Sequence, residues 1–176
     1  MKIVFIIPVY NEQPTLADLA AGIAEHAGEH EHRVLFVDDG STDGSYGELC
    51  RLSEAYATVE VLKLRRNFGK TAALAAALAR AEGDVVVTMD ADLQDDPREI
   101  PRLLAKLDEG YDLVCGWKRQ RHDPWHKTIP SHVYNRWIAR RFGIDLHDIN
   151  SGFKAMRIEV ARRLPVYGDL HRLMAV

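Results

Sequence analysis

Short apolar runs rich in Val, Ile and Leu alternate along this chain with helical patterns, and this alternation limits the possible folds most strongly. Each run has the length of one β-strand. Because the runs are continuously apolar, they predict strands that are buried on both faces. Strands of this kind separated by helices predict a Rossmann-like, doubly wound, mostly parallel α/β sheet with helices on both faces. The runs occupy residues 3–7, 33–37, 59–64, 85–89 and 113–115.

The segments between these runs carry helix signals. Pro14 suits a first helical turn, and Ser45 is predicted to be the N-cap of a helix that reaches about residue 57. The alanine-rich stretch GKTAALAAALARAEG predicts a helix that ends at a left-handed cap on Gly83. A further helix is predicted from Pro97 to Glu109.

The composition is that of an ordinary globular protein. With 176 residues, the chain is expected to form a single domain over 1–176. The formal net charge of −3 gives no indication of a nucleic-acid partner. Cys50 and Cys115 fit no metal or redox spacing and predict reduced thiols in a cytoplasmic protein. No segment approaches the roughly 20 apolar residues that span a bilayer.

Charge is divided unevenly along the chain. Residues 84–112 are rich in Asp and Glu, whereas residues 117–141 are rich in Lys and Arg and contain all three tryptophans. This division indicates that a cation and an anion are held close together.

Polar residues follow four of the predicted strands at the point where each strand ends. Ligands of doubly wound sheets bind beyond the carboxyl ends of the strands, so four such ends together predict a binding edge. These residues form the stretches PVYNE after the first strand, DDGS after the second, RRNFGK after the third and DAD after the fourth.

The DADLQDDP stretch suggests a metal site. Asp90 and Asp92 are two residues apart, so in an extended segment both carboxylates point the same way, and Gln94 continues that face. Two carboxylates and an amide oxygen suit Mg²⁺ or Mn²⁺, which would also bridge the phosphates of an anionic ligand. Asp95 and Asp96 precede Pro97 and are interpreted instead as caps of the next helix.

The other strand ends offer groups that suit a nucleotide diphosphate. Asp39, with Gly40 and Ser41, can accept hydrogen bonds from a base or ribose. Arg65 and Lys70 can meet phosphate oxygens, and Lys70 lies near the start of the alanine-rich helix, where the helix dipole favours anions.

Five motifs in order carry a family resemblance: IIPVYNE, VDDGSTDGS, RRNFGKTAAL, DADLQDDP and INSGFKAMRIEV. Their order and spacing resemble family 2 glycosyltransferases of the type A fold. The closest likeness is to the branch typified by dolichol-phosphate mannosyltransferase and the bacterial undecaprenyl-phosphate glycosyltransferases. The resemblance implies transfer of a sugar from a nucleotide-diphosphate sugar to a polyprenyl phosphate, with inversion and with Mg²⁺ or Mn²⁺ as cofactor.

The resemblance also implies roles for individual residues on the donor side. Asp39 would read the base, and Asp92, a metal ligand, would contribute to catalysis. The implied nucleotide-sugar-binding residues are Pro8, Tyr10, Glu12, Asp39, Lys70 and Asp90, and the implied metal ligands are Asp90, Asp92 and Gln94.

On the acceptor side, Asp148 in LHDINSGF matches the family's proposed catalytic base, although it can equally serve to orient the reactants. Arg119, Lys127 and Ser131 resemble the acceptor-phosphate contacts, with Lys118 or Arg121 as alternatives to Arg119. The family pattern divides the domain into a donor half, 1–116, and an acceptor half, 117–176, which ends early relative to most members.

The basic segment predicts the location of the protein at a membrane surface. An amphipathic helix over 131–142 would either lie in the membrane interface or pack on the sheet. With a lipid-phosphate acceptor, the protein is expected to be peripheral at the cytoplasmic face of a membrane.

Three alternatives remain open. A related transferase would act on a polysaccharide or soluble acceptor. A fragment would bind nucleotide without turnover. The stretch VLFVDDG also resembles the acidic strand end of a signalling receiver domain, but there the acidic pair follows the first strand.

Overall fold

The structure is a computed structural model, and it describes residues 1–117 and 151–164. The described residues form a six-stranded sheet with α-helices packed against it. The strands are β1 Lys2–Val9, β2 Glu31–Asp38, β3 Val59–Lys63, β4 Val85–Thr88, β5 Leu113–Cys115 and β6 Lys154–Arg157. The helices are α1 Leu16–His26, α2 Ser45–Ala55, α3 Lys70–Leu78, α4 Ile100–Asp108 and α5 Ile158–Arg163.

The strand order across the sheet is β3-β2-β1-β4-β6-β5. β1 pairs in parallel with both β2 and β4, and β2 pairs in parallel with β3. β6 runs antiparallel to β4 on one side and to β5 on the other. The predicted mostly parallel sheet is confirmed, and β6 is the reversed strand, which the sequence did not reveal.

The two faces of the sheet bury alternate residues of the same strands. Ile3, Phe5 and Ile7 of β1 join a core with α1, α2 and α4, whereas Val4 and Ile6 join a second core with α3 and α5. This double burial explains why the strands read as continuous apolar runs. The predicted helices on both faces are therefore confirmed.

Several predicted helix ends differ from the structure. The helix predicted from Pro97 begins as an α-helix only at Ile100, because residues 97–99 form a 3-10 turn. Ser45 is the first residue of α2 rather than its N-cap, because its hydroxyl oxygen accepts a hydrogen bond from the backbone N–H of Glu12 at 2.9 Å. The alanine-rich helix ends at Leu78, and Gly83 does not adopt the left-handed conformation. Gly83 is instead in close approach to β1, where an added Cβ would lie 2.9 Å from the carbonyl oxygen of Lys2.

Several sequence predictions fall outside the described residues. They are the helix over 131–142, the acceptor contacts Arg119, Lys127 and Ser131, and the proposed base Asp148. Within residues 1–117 and 151–164, no helix is long and apolar enough to cross a bilayer.

The strand order brings the predicted binding loops together. β2, β1 and β4 are adjacent and parallel, so the loops that follow Asp38, Val9 and Thr88 leave the same edge of the sheet side by side. β3 is next to β2, and its following loop leads into α3 at that edge. The geometry for a binding edge is therefore set by the topology of these four strands.

Candidate functional site

A cleft of about 330 Å³ lies at this carboxyl edge, and we call it the edge cleft. It is lined by residues from all four loops, including every implied nucleotide-sugar-binding residue and the implied metal ligands Asp90 and Asp92. Gln94 and the predicted phosphate contact Arg65 are not among the lining residues. The lining residues are Pro8, Val9, Tyr10, Glu12, Asp39, Asn67, Gly69, Lys70, Asp90, Ala91 and Asp92.

A second cleft of about 390 Å³ lies between the ends of α3 and α5. Alanine, leucine and three charged side chains line it, and none of them belongs to a predicted motif for donor binding. The edge cleft is the better candidate, because it joins convergent polar groups at the position where ligands of such sheets bind.

Asp90 is held in the edge cleft from several directions. Its backbone N–H donates to Oδ2 of Asp95 at 3.0 Å, and its Oδ1 forms an ion pair with Nζ of Lys70. An added Cβ at Gly152 would lie 2.6 Å from both carboxylate oxygens of Asp90. The carboxylate is therefore packed against the backbone of Gly152, where only glycine leaves it room.

The rest of the acidic motif does not continue in an extended conformation. Leu93 has a φ of 57°, and the backbone N–H of Gln94 donates to Oδ1 of Asp92 at 3.0 Å, which closes a turn. Gln94 is exposed and does not line the edge cleft. The expectation that Gln94 continues the face of Asp90 and Asp92 is wrong, because the chain turns at Leu93.

Of the two aspartates interpreted as helix caps, only Asp96 has that role. Its side chain accepts from the backbone N–H of Arg98 at 3.0 Å and forms an ion pair with the Arg98 guanidinium. Asp95 is buried and turns back to accept from Asp90. Asp95 therefore braces the acidic loop, and its interpretation as a cap is corrected.

Asp39 organises the loop between β3 and α3. Its two carboxylate oxygens accept hydrogen bonds from the backbone N–H groups of Phe68 and Gly69, each at 2.8 Å. The neighbouring Gly40 has a φ of +71°, and an added Cβ would lie 2.5–2.7 Å from backbone atoms of Arg66 and Asn67. The two loops are thus in backbone-to-backbone contact beside the edge cleft.

A second set of hydrogen bonds joins the loop after β1 to the loop after β2. Oδ1 of Asn11, which has a φ of 58°, accepts from the backbone N–H of Thr42 at 2.8 Å. The backbone N–H of Asn11 in turn donates to Oγ of Ser41 at 3.0 Å. These contacts hold the loop that carries Tyr10 and Glu12, both of which line the edge cleft.

Glu12 shows the electrostatic character of the edge cleft. Burial raises the pKa of Glu12, and the negative charges of Asp92, Asp43 and Asp90 raise it further. Burial is the larger cause of the raised pKa, and repulsion by the neighbouring carboxylates adds to it. A bound cation would relieve this repulsion.

Replacing Asp92 with asparagine is expected to lower the pKa of Glu12, because one of the repelling charges is removed. The pKa should stay above its ordinary value, since burial is the larger cause. In the wild type, the stability linked to Glu12 should be present below its unfolded pKa and be lost as the pH rises through its higher folded pKa. An NMR titration of the side-chain carboxyl carbons measures these values.

The matched control for this titration is Asp108→Asn, which removes an exposed carboxylate at the end of α4. That variant should leave the titration of Glu12 unchanged. An identical Glu12 pKa in wild type and Asp92→Asn would show that the two carboxylates do not interact.

The residues of the edge cleft suit a divalent ion that is shared with a ligand. Within the described residues, no three His, Cys, Asp or Glu side chains are arranged to hold a metal ion by themselves. Asp90 and Asp92 both line the cleft. Mg²⁺ is commonly held by one or two carboxylates together with substrate phosphates and water. The carboxylate pair therefore fits a metal that binds with a diphosphate.

Sequence reasoning assigned no role to three residues that shape the site. Asn67 and Gly69 line the edge cleft, and Oδ1 of Asn67 accepts from the backbone N–H of Gly69 at 3.0 Å. Both lie in the RRNFGK motif, and that motif was the sequence feature from which their place in the cleft could have been predicted. Gly152 lies in the INSGF motif, but its contact with Asp90 is visible only in the folded structure.

Solved structures share this fold. The chain is similar to Mycobacterium tuberculosis glucosyl-3-phosphoglycerate synthase in complex with Mn²⁺ and UDP-glucose, with 24% identity over 93% of this chain and 58% of that one and a TM-score of 0.73. It is also similar to a mannosyltransferase from Pyrobaculum calidifontis in complex with GDP-mannose and Mn²⁺, with 24% identity over 94% of this chain and 47% of that one and a TM-score of 0.67.

These likenesses confirm the predicted type A fold, and the chain spans about half the length of the structures it matches. The presence of Mn²⁺ in both complexes agrees with the divalent metal expected from the acidic motif. Neither protein is described as acting on a polyprenyl phosphate, so the branch within the family stays a prediction. A family model described as glycosyl transferase family 2 matches residues 4–164, which is most of the sequence. The chain belongs to glycosyl transferase family 2.

Proposed function

We propose that this chain binds a nucleotide-diphosphate sugar in the edge cleft and serves metal-dependent, inverting transfer of the sugar to a polyprenyl phosphate. The observation that supports the donor part is the meeting of four strand-end loops in one cleft. Tyr10, Asp39 and Lys70 approach it together with the Asp90–Asp92 pair. This set contains an aromatic ring, hydrogen-bond acceptors, a cation and two metal-ligating carboxylates, which are the groups that a nucleotide diphosphate requires.

The nucleoside is proposed to bind at the Pro8, Tyr10 and Asp39 side of the edge cleft. Tyr10 is 45% exposed, so its ring is accessible to a base or ribose. The oxygens of Asp39 already accept from Phe68 and Gly69, and each keeps a lone pair for a donor on the base. Asp39 would thereby link base recognition to the position of the loop that begins α3.

Asp90 and Asp92 would hold the metal ion, and Lys70 would face the diphosphate. When bound, the ion supplies positive charge that stabilises the leaving diphosphate. In the transfer itself, an acceptor oxygen forms a bond to the anomeric carbon as the bond to the diphosphate oxygen breaks. The electron pair of the broken bond leaves with the nucleotide diphosphate, and attack from the opposite side inverts the anomeric centre.

The acceptor is proposed to be a phosphate monoester on a polyprenyl chain. Its second pKa is about 6, so at neutral pH it is already largely a dianion and needs little help from a base. Asp148 would then orient the reactants or stabilise positive charge on the sugar. Arg119, Lys127 and Ser131 would contact the phosphate, and the basic, tryptophan-rich segment suits a peripheral position at the cytoplasmic face of a membrane.

A soluble phosphorylated acceptor is the second candidate. One solved structure of similar fold, at 23% identity, is glucosyl-3-phosphoglycerate synthase in complex with phosphoglyceric acid. A basic acceptor segment would serve a small phosphorylated acid as well as a lipid phosphate, because both present a phosphate group.

A thermal-shift screen tests the donor part of the proposal. UDP, GDP, CDP and dTDP are each added with and without Mn²⁺ to the wild type, to Asp92→Asn and to the control Asp108→Asn. A ligand at a hundred times its dissociation constant should add about 2.7 kcal/mol to the free energy of unfolding. We expect one nucleotide to stabilise the wild type and Asp108→Asn in a Mn²⁺-dependent manner, and to stabilise Asp92→Asn much less. The donor assignment fails if no nucleotide changes the melting temperature.

The acceptor part is tested with the nucleotide sugar whose base the screen identifies. Labelled donor is supplied with undecaprenyl phosphate in vesicles or with 3-phosphoglycerate in solution, and the labelled product is extracted into solvent or kept in water. Label in the lipid fraction supports the polyprenyl acceptor. Label in the soluble fraction supports the second candidate, and label in neither fraction contradicts turnover by this chain with these acceptors.

A further inference from the structure

The charges that line the edge cleft are strongly unbalanced. Its acidic lining residues are Glu12, Asp39, Asp90 and Asp92, whereas Lys70 is the one cation among the lining residues that the structure describes. Lys70 does not point at an open phosphate position. Its Nζ forms an ion pair with Oδ1 of Asp90, a carboxylate proposed to hold the metal.

Of the two partners, Asp90 has little freedom to move. Gly152 is packed against its carboxylate so closely that an added methyl group would lie 2.6 Å from both oxygens. Its backbone N–H is held by Asp95 at 3.0 Å. The position of this carboxylate is therefore set by the fold, whether or not a metal is bound.

The side chain of Lys70, in contrast, has room to change its rotamer. Lys70 is the first residue of α3, and its side chain is 36% exposed at the end of a flexible four-carbon stem. Gly69, which precedes it, has a φ of +91° and is held by Asp39 through its backbone N–H. The backbone of Lys70 is thus anchored, while its ammonium group can turn between Asp90 and a ligand in the same cleft.

We propose that Lys70 is a positioning residue that occupies Asp90 in the metal-free cleft and passes to the diphosphate of the donor when the metal binds. This inference rests on the proposed function. An ammonium group and a divalent ion repel each other, so they compete for the same carboxylate oxygen. Lys70 would leave Asp90 when the ion binds and would then pair with the diphosphate, so metal and nucleotide would each favour the binding of the other.

A residue that only binds phosphate would behave differently. Its removal would weaken nucleotide binding and leave the affinity for metal alone unchanged. If Lys70 competes with the metal for Asp90, its removal frees Asp90 and raises the affinity for metal measured without nucleotide. The affinity for Mn²⁺ alone therefore separates the two roles.

The test measures Mn²⁺ binding from the EPR signal of the free ion. Wild type, Lys70→Met and Lys70→Gln are titrated with Mn²⁺ alone and with Mn²⁺ in the presence of UDP or GDP. Removing the ammonium should tighten binding of Mn²⁺ alone about 5-fold or more, within the usual range of coupling between sites. In the wild type, UDP or GDP should increase the affinity for Mn²⁺. In Lys70→Met and Lys70→Gln this increase should be smaller by a similar factor.

Two control variants isolate the effect. Lys70→Arg keeps a cation that can pair with Asp90, so it should retain most of the wild-type coupling between Mn²⁺ and nucleotide. Lys106→Met removes a lysine of α4 that pairs with Glu109, and it should match the wild type in every titration. Circular dichroism confirms that each variant is folded, and the glutamine variant replaces the methionine variant if the latter does not fold.

The outcomes distinguish failure of this inference from failure of the proposed function. Unchanged or weaker binding of Mn²⁺ alone in both Lys70→Met and Lys70→Gln overturns the inference, even when the wild type binds Mn²⁺ and nucleotide together. Failure of the wild type to bind Mn²⁺ with UDP or GDP, together with no thermal shift for CDP or dTDP, overturns the proposed function and the inference with it.

Discussion

Replacing Gly40 with alanine is expected to lower the free energy of unfolding by about 3 kcal/mol. The φ of +71° costs an L-residue roughly 1–2 kcal/mol. The added Cβ would also lie 2.5–2.7 Å from backbone atoms of Arg66 and Asn67, and relieving such overpacking costs roughly 1–3 kcal/mol. Pushing that loop away would weaken the hydrogen bonds from Phe68 and Gly69 to Asp39, so nucleotide binding should fall as well. Urea unfolding measures the stability change.

Two other glycines separate the causes of this loss. Gly28 has a φ of +67° but no atom within 4 Å of an added Cβ, so Gly28→Ala should cost only the conformational part. Gly47 lies in α2 with open space around it, and Gly47→Ala should be neutral or stabilising by up to about 1 kcal/mol. If Gly40→Ala loses no more stability than Gly28→Ala, the contact between the two loops is not tight.

Replacing Gly152 with alanine should weaken Mn²⁺-dependent nucleotide binding by about 10–100-fold, the usual effect of removing support from a metal ligand. The new methyl group would collide with both carboxylate oxygens of Asp90, and a short side chain can escape only by turning away from its place in the edge cleft. The free energy of unfolding should fall by about 1–3 kcal/mol, the usual cost of overpacking, because the displaced carboxylate also loses its ion pair with Lys70. Calorimetric titration with nucleotide and Mn²⁺ measures the affinity.

Gly116→Ala is the matched control for this variant. Gly116 lies at the same edge of the sheet, beside β6. The atoms nearest to an added Cβ would belong to Phe153, at 3.2–3.3 Å, and not to Asp90. The control variant should therefore bind nucleotide and Mn²⁺ like the wild type. Wild-type affinity in Gly152→Ala would mean that the packing of Asp90 against the backbone has no influence on the metal.

The sequence predicted the parallel part of the fold and the donor side of the site. Continuous apolar runs identify β1 to β4, and the rule that ligands bind beyond the carboxyl ends of parallel strands brings Tyr10, Asp39, Lys70 and Asp90 to one edge. These predictions depend on local patterns and on one general rule of topology. The edge cleft contains those four residues, as expected.

Features that depend on distant contacts could not be predicted in the same way. β6 is only four residues long, begins with a buried lysine and lies between β4 and β5, so its direction is decided by pairing with strands far along the chain. The contact of Gly152 with Asp90 joins the segment before β6 to the loop after β4, which are also far apart in the chain.

The departures within the acidic loop have a local physical cause. A single left-handed residue, Leu93, turns the chain and removes Gln94 from the predicted face. Asp95 and Asp96 look alike as helix-capping residues, but burial separates them, since Asp95 is 2% exposed and braces Asp90. Sequence periodicity cannot reveal a one-residue change in backbone conformation.

Because β6 runs antiparallel to β5, the end of β5 and the start of β6 are neighbours in the sheet. β5 ends at Cys115, which pairs with Lys154 at the start of β6, so the chain leaves the sheet and returns to it at neighbouring positions beside the edge cleft. An insertion between Trp117 and Ser151 therefore starts and ends beside the edge cleft. Doubling the length of such an insertion costs only about 0.6 kcal/mol in loop-closure entropy. A change in the length of the chain between these two residues is therefore compatible with an unchanged edge cleft.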